Sequence, residues 1–135
     1  MDIRNLSSIE NDFREQLGEY HNIIEYNTST DGLTSTARFN EVSNGRTFKV
    51  AIVLYHQTNS ADIRVSTEVS GILQDYIGKI NEINKKYTGV NCSYGIHSMV
   101  MSGRYNGGEA YNFNNFFKQL ATFLEIAKAE FASMK

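Results

Sequence analysis

Proline is absent from all 135 residues, cysteine occurs once, and neither sign of charge dominates. A chain without proline contains no stiff proline-rich linker, and no long Gly/Ser tract replaces one, so nothing in it marks a boundary between two domains. The lone Cys92 cannot close an internal disulfide, and the polar start Met1-Asp2-Ile3-Arg4 is no basic-then-apolar leader. Both point to a protein of a reducing compartment, expected to be cytoplasmic. The longest apolar run, Val50 to Tyr55, is far below the ~20 residues that cross a bilayer. No membrane association is expected. Net charge is −2: residues 1–67 hold six basic and nine acidic side chains, residues 68–135 seven and six. Neither half draws a phosphate backbone strongly, so no nucleic-acid partner is expected.

Hydrophobic residues make up 41%, with eight Phe and eight Tyr. That is enough for one domain, residues 1–135, whose core needs neither metal nor disulfide. Ser7 and Glu10 have capping-box spacing, and Leu6, Ile9, Phe13 and Leu17 follow at helical intervals up to Gly18. From His21 to Tyr26 the pattern becomes β-prone and ends in a turn at Asp31-Gly32. Leu33 to Asn40 alternates apolar with polar, Ser43-Asn44-Gly45-Arg46 turns the chain, and Thr47 to His56 is the most apolar strand, placed centrally. Residues 57–62 read as a polar break, with Ile63 and Val65 as a short extension of the sheet. Ser66 or Thr67 then caps a helix carrying Val69, Ile72, Leu73, Tyr76, Ile77, Ile80 and Ile83, with Gly71 and Gly78 inside it. Strands are expected at Val90–Tyr94 and Ile96–Arg104, a loop at Tyr105–Glu109, and a last helix from Asn112 with Phe113, Phe116, Phe117, Leu120, Phe123, Leu124, Ala127 and Phe131 on one face.

The expected fold is therefore α+β: an antiparallel sheet of about five strands with helices packed on it, in the order α-β-β-β-α-β-β-α. Phe48, Val50, Ile52, Leu54, Ile77, Ile80, Leu120 and Leu124 are the expected core.

Reactive chemistry is thinly represented. His21, His56 and His97 show no metal-binding spacing, and one thiol gives no zinc pair. Cys92 and His97 could meet across a hairpin, yet an isolated strand cysteine is usually a small buried hydrophobe. Gly103-Arg104-Tyr105-Asn106-Gly107-Gly108 lacks the Lys-Ser/Thr ending of a phosphate-binding loop. Lys79, Lys85 and Lys86 complement a helix C-terminus. No catalytic residue, metal or cofactor is assigned. The surplus of apolar helix surface instead suggests self-association or a ligand groove, with Leu73, Tyr76, Phe123 and Phe131 as candidate partner-binding residues.

One local pattern points to a family. Ile80-Asn81-Glu82-Ile83-Asn84-Lys85-Lys86-Tyr87 carries an Asn-x-x-Asn pair and a short basic stretch, and Tyr105-Asn106-Gly107-Gly108 precedes the last helix. From Ile80 onward the chain resembles the YbjN family of small bacterial proteins, and its element order resembles the type III secretion chaperone-like fold that they share. The resemblance implies a non-enzymatic adaptor that binds another protein or a peptide segment as a homodimer without cofactors. It adds Asn81 and Asn84 to the candidate partner-binding residues, although amides at such positions also tie a helix end to the next strand. A second reading is a small bacterial or phage accessory protein, an immunity or counter-defence factor that blocks one target by surface complementarity.

Overall fold

The computed structural model describes residues 15, 18, 23–106, 113–132 and 134. The helix expected from Ser7 to Gly18 lies outside these, apart from Glu15 and Gly18, both helical. His21, the Gly107-Gly108 loop and the Asn112 cap are likewise outside the described residues.

Four strands come first, β1 (Ile23–Thr28), β2 (Thr34–Ser43), β3 (Arg46–Tyr55) and β4 (Ser60–Glu68). Helix α1 (Leu73–Lys86), strands β5 (Val90–Gly95) and β6 (Ser98–Asn106) and helix α2 (Phe113–Phe131) follow. The six strands of the described residues form one antiparallel sheet in the order β1-β2-β3-β4-β6-β5. The α+β class is as the sequence implies, but the sheet has a sixth strand. The supposed break at 57–62 is a turn followed by β4, whose Ala61, Ile63, Val65 and Thr67 are buried while Arg64 and Glu68 are exposed. Its strand signal is a clean period of two written in short polar and β-branched residues.

Turn chemistry sets the first hairpins. At the β1–β2 turn Asp31 Oδ1 accepts the Leu33 amide at 3.0 Å and the Ser29 hydroxyl at 2.5 Å, and Gly32 takes φ +71°. Asn44 and Gly45 both have positive φ, as a two-residue hairpin turn matched to strand twist requires. The strand placed at Ile96–Arg104 begins instead at Ser98, because Ile96 and His97 form the β5–β6 turn.

One face of the sheet carries the core. Phe39, Phe48, Val50, Ile52, Leu54, Met99 and Met101 are buried on it with Phe116, Leu120, Leu124 and Phe131 of α2. Helix α1 lies over the edge strand β5, and α2 over β4 and β6. Two expectations change here. Helix α1 begins at Leu73, because Ser66 and Thr67 are spent in β4, so Val69 and Gly71 precede it. Ile77 is not core: it is 44% exposed, since Tyr76 and Ile83 set the buried face and Ile77 falls on its shoulder, with Ile80 half-buried between.

Candidate functional site

The six candidate partner-binding residues divide between two helices. Leu73, Tyr76, Asn81 and Asn84 stand on α1, Phe123 and Phe131 on α2. Leu73, Asn81 and Asn84, all on α1, are exposed. Phe131 is fully buried and Phe123 nearly so, both within the chain's own core, and Tyr76 is buried too.

Helix α1 is built against β5. Its first turn is closed by Asp75, whose Oδ2 accepts the Ile72 amide at 3.0 Å. Tyr76 stacks on Tyr94 of β5 with ring centroids 6.1 Å apart, and its hydroxyl accepts the Gly71 amide at 2.9 Å. The Tyr94 hydroxyl donates to the Gly71 carbonyl at 2.9 Å, so two tyrosines clamp the loop entering the helix. A side chain at Gly71 would meet Tyr76 Oη and Asp75 Oδ2 at 2.7 Å, which gives this glycine its reason.

At the other end Asn84 spans to the backbone of Cys92. Its Nδ2 donates to the Cys92 carbonyl at 3.1 Å, and its Oδ1 accepts the Cys92 amide at 2.6 Å. Cys92 faces Met101 across the ladder, and among the described residues β5 has no strand on its other side. The amide of Asn84 therefore satisfies both edge groups that an added strand would otherwise seek. Both asparagines are exposed, and of the two it is Asn84 that ties helix to strand.

A carboxylate holds the two helices together. Glu130 of α2 is buried and receives Lys86 Nζ at 3.2 Å and the Tyr87 hydroxyl at 3.3 Å on Oε1. Lys79 Nζ stands 3.3 Å from Oε2, close enough for charge attraction but not aligned for a hydrogen bond. Burial by itself would raise the Glu130 carboxyl; the Lys86 hydrogen bond and the charges of Lys79 and Lys86 outweigh it and hold it below its ordinary 4.5. The sequence held a sign of this, an acid three residues after Ala127 on an otherwise apolar stripe. The supposed dipole-complementing lysines are thus, in two cases of three, partners of a buried acid.

Cys92 is 2% exposed, and burial, followed by the nearby Glu130 charge, pushes its thiol up to about 11. His97 lies in the turn, away from the register partner of Cys92, so the two do not form a hairpin pair. His56 is buried, with Nε2 2.8 Å from Ser35 Oγ, which in turn lies 3.1 Å from Thr28 Oγ1. Among the described residues no group of three or more His, Cys, Asp or Glu is placed to hold a metal ion, and no helix is long and apolar enough to cross a membrane.

The exposed surface of α1, counting the N-cap Ile72, includes three apolar residues beside the polar Gln74, Asp75, Asn81 and Glu82. Ile72, Leu73 and Ile77 are 54%, 47% and 44% exposed, and Leu73 and Ile77, four apart, share one side of the helix. Asn81 adjoins them, and Gly78 has open space where its side chain would be. No family model, curated protein or solved structure matches the chain.

Proposed function

We propose that this chain is a non-enzymatic protein-binding module that acts as a homodimer and binds a partner protein or peptide segment, in the manner of the YbjN-like and secretion-chaperone-like adaptors that its C-terminal half resembles. The observation that carries the reading is the exposed apolar shoulder of α1, formed by Ile72, Leu73 and Ile77 on a helix whose opposite side is already fixed to the sheet. Scattered apolar residues on a surface are ordinary, whereas three in adjacent turns form a patch. The charges of α1 suit a two-fold contact: Asp75 lies in its first turn and Lys85 in its last, so an antiparallel copy sets opposite charges side by side. Gly78 lets such a copy approach closely.

Light scattering at micromolar concentration tests this. The expected mass is twice 15.3 kDa, returning to that of one chain on Ile77→Glu with the circular dichroism spectrum unchanged. A single-chain mass that persists on concentration overturns the dimer. A dimer mass unchanged in Leu73→Glu/Ile77→Glu overturns α1 as the interface.

A further inference from the structure

Asn84 covers only part of the β5 edge. In an antiparallel ladder the backbone groups of alternate residues turn to the same side. Because the amide and carbonyl of Cys92 turn away from β6 to meet Asn84, those of Val90 and Tyr94, two residues to either side, turn outward as well. They have no hydrogen-bond partner among the described residues. At the opposite edge of the described sheet, β1 is interrupted by a bulge between Ile23 and Glu25 and carries the exposed Glu25 charge, both of which discourage pairing. β5 has neither: its register with β6 is unbroken, and Val90–Gly95 contains no charged residue and no proline.

An apolar wall stands beside the open part of this edge. Leu73, Ile77, Ile80 and Asn84 recur at intervals of four, three and four, so they form one stripe along α1. Asn84 fixes where that stripe points, since its amide lies against Cys92. Tyr76, adjacent to Ile77, stacks on Tyr94, which sets Ile77 and Leu73 toward the Tyr94 end of the edge. The β5–β6 turn closes that end: Tyr94 Oη accepts the His97 amide at 3.1 Å, and Ile96 at the tip is 91% exposed. At the other end Lys85, beside Asn84, has no ion pair among the described residues, and no acid stands on the stripe or on β5.

We infer that the groove between α1 and the β5 edge takes an extended peptide segment of a partner protein as a seventh strand, with apolar side chains against Leu73 and Ile77 and an acidic residue near Lys85. The Asn84 amide is the gate. A primary amide carries the same donor and acceptor as a peptide unit, so an incoming strand that displaces it returns to Cys92 the two hydrogen bonds it removes and adds those of Val90 and Tyr94. This use of α1 rests on the reading of its exposed side as a binding face and does not require the dimer.

Titration of the ¹⁵N-labelled full chain with the end-blocked peptide Glu-Val-Thr-Val-Thr-Val-Glu, followed by amide shifts and hydrogen exchange, is the test. Saturable shifts are expected at Ile77, Cys92 and Tyr94, with slowed exchange of the Tyr94 amide. Of two further peptides, N-methylated at the valines or at the threonines, one should bind about tenfold more weakly and the other about as well as the parent, because only one set of amides faces β5. Asn84→Ala should bind the parent peptide about fivefold to tenfold more tightly, since nothing has to be displaced from Cys92, a gain that a merely structural asparagine would not give. Ile77→Ser, at an exposed position, should weaken binding about tenfold. No saturable shift, an unprotected Tyr94 amide in the complex, equal loss for the two N-methylated peptides, a folded Asn84→Ala that binds no more tightly, or an unchanged Kd in Ile77→Ser would overturn strand addition. Light scattering of Ile77→Glu then still decides the dimer by itself.

Discussion

The ring of Phe123 on α2 occupies the space that a Cβ on Gly103 of β6 would need: such a carbon would fall 2.7 Å from Cε2 and 3.3 Å from the Gly89 carbonyl. The missing side chain lets the helix settle flat on the strand. Gly103→Ala must displace a buried ring with backbone behind it, and should cost about 1–3 kcal/mol, the usual range for overpacking. Urea unfolding measures this directly. Phe123→Leu in the same chain should recover part of the loss, and a double mutant no more stable than the sum of its parts would show that the ring is not what Gly103 makes room for.

Asn84→Ala should destabilise by about 1–2 kcal/mol, because it leaves the amide and carbonyl of Cys92 without their protein partners at a sheet edge. Asn81→Ala, at an exposed position three residues earlier, should change stability by less than about 0.5 kcal/mol. Equal effects at the two positions would mean that the edge brace contributes nothing.

Glu130 gives a pH dependence of known sign. Its carboxyl titrates lower in the folded chain than the ordinary 4.5, so the folded state binds fewer protons across that interval and stability rises with pH there. The contribution is complete above about 4.5 and disappears as pH falls through the folded value. Glu130→Gln should be less stable than wild type at pH 7 by about 1–3 kcal/mol, as expected when a buried paired carboxylate loses its charge. The gap between the two proteins should shrink as the pH is lowered below about 4.5. A gap that stays constant from neutral to acid pH would contradict the charge argument.

Cys92 should not react with a thiol reagent in the native state at pH 8. Its thiol is buried and titrates at about 11, so very little thiolate exists and less is accessible. Labelling should begin only as urea unfolds the chain. Reaction of the native protein at the rate of an unfolded peptide would place the thiol at the surface. Cys92→Ala should leave partner binding intact.

The sequence made the hairpins and the core face legible because their signals are local: Asp31-Gly32 and Asn44-Gly45 are turn chemistry, and Phe48 to Leu54 alternates cleanly. β4 was obscured by composition, since Ser66 and Thr67 suit a helix cap as well as a strand and only pairing on both sides decides between them. Ile77 fits a 3.6-residue stripe, but the width of the buried stripe depends on how α1 tilts over β5, and that is set by Tyr76 on Tyr94. Asn84 was legible as a tie between helix and strand, its partner Cys92 being near in sequence. The meeting of Lys79, Lys86 and Glu130 depends on segments distant in the chain and leaves no periodic trace.

The place of β6 between β4 and β5 imposes an order of events on folding. β1 to β4 are joined by short turns and can zip in sequence, each hairpin adding local contacts at small loop-closure cost. β4 then waits as a bare edge while α1 and β5 are laid down, until Ser98 can reach Glu68 and Asn106 can reach Ser60. That closure is the step with the longest loop to close between paired strands of the sheet. Until it happens the unpaired rim of β4, with Ile63 and Val65 uncovered beside it, is the segment through which two half-folded chains would join.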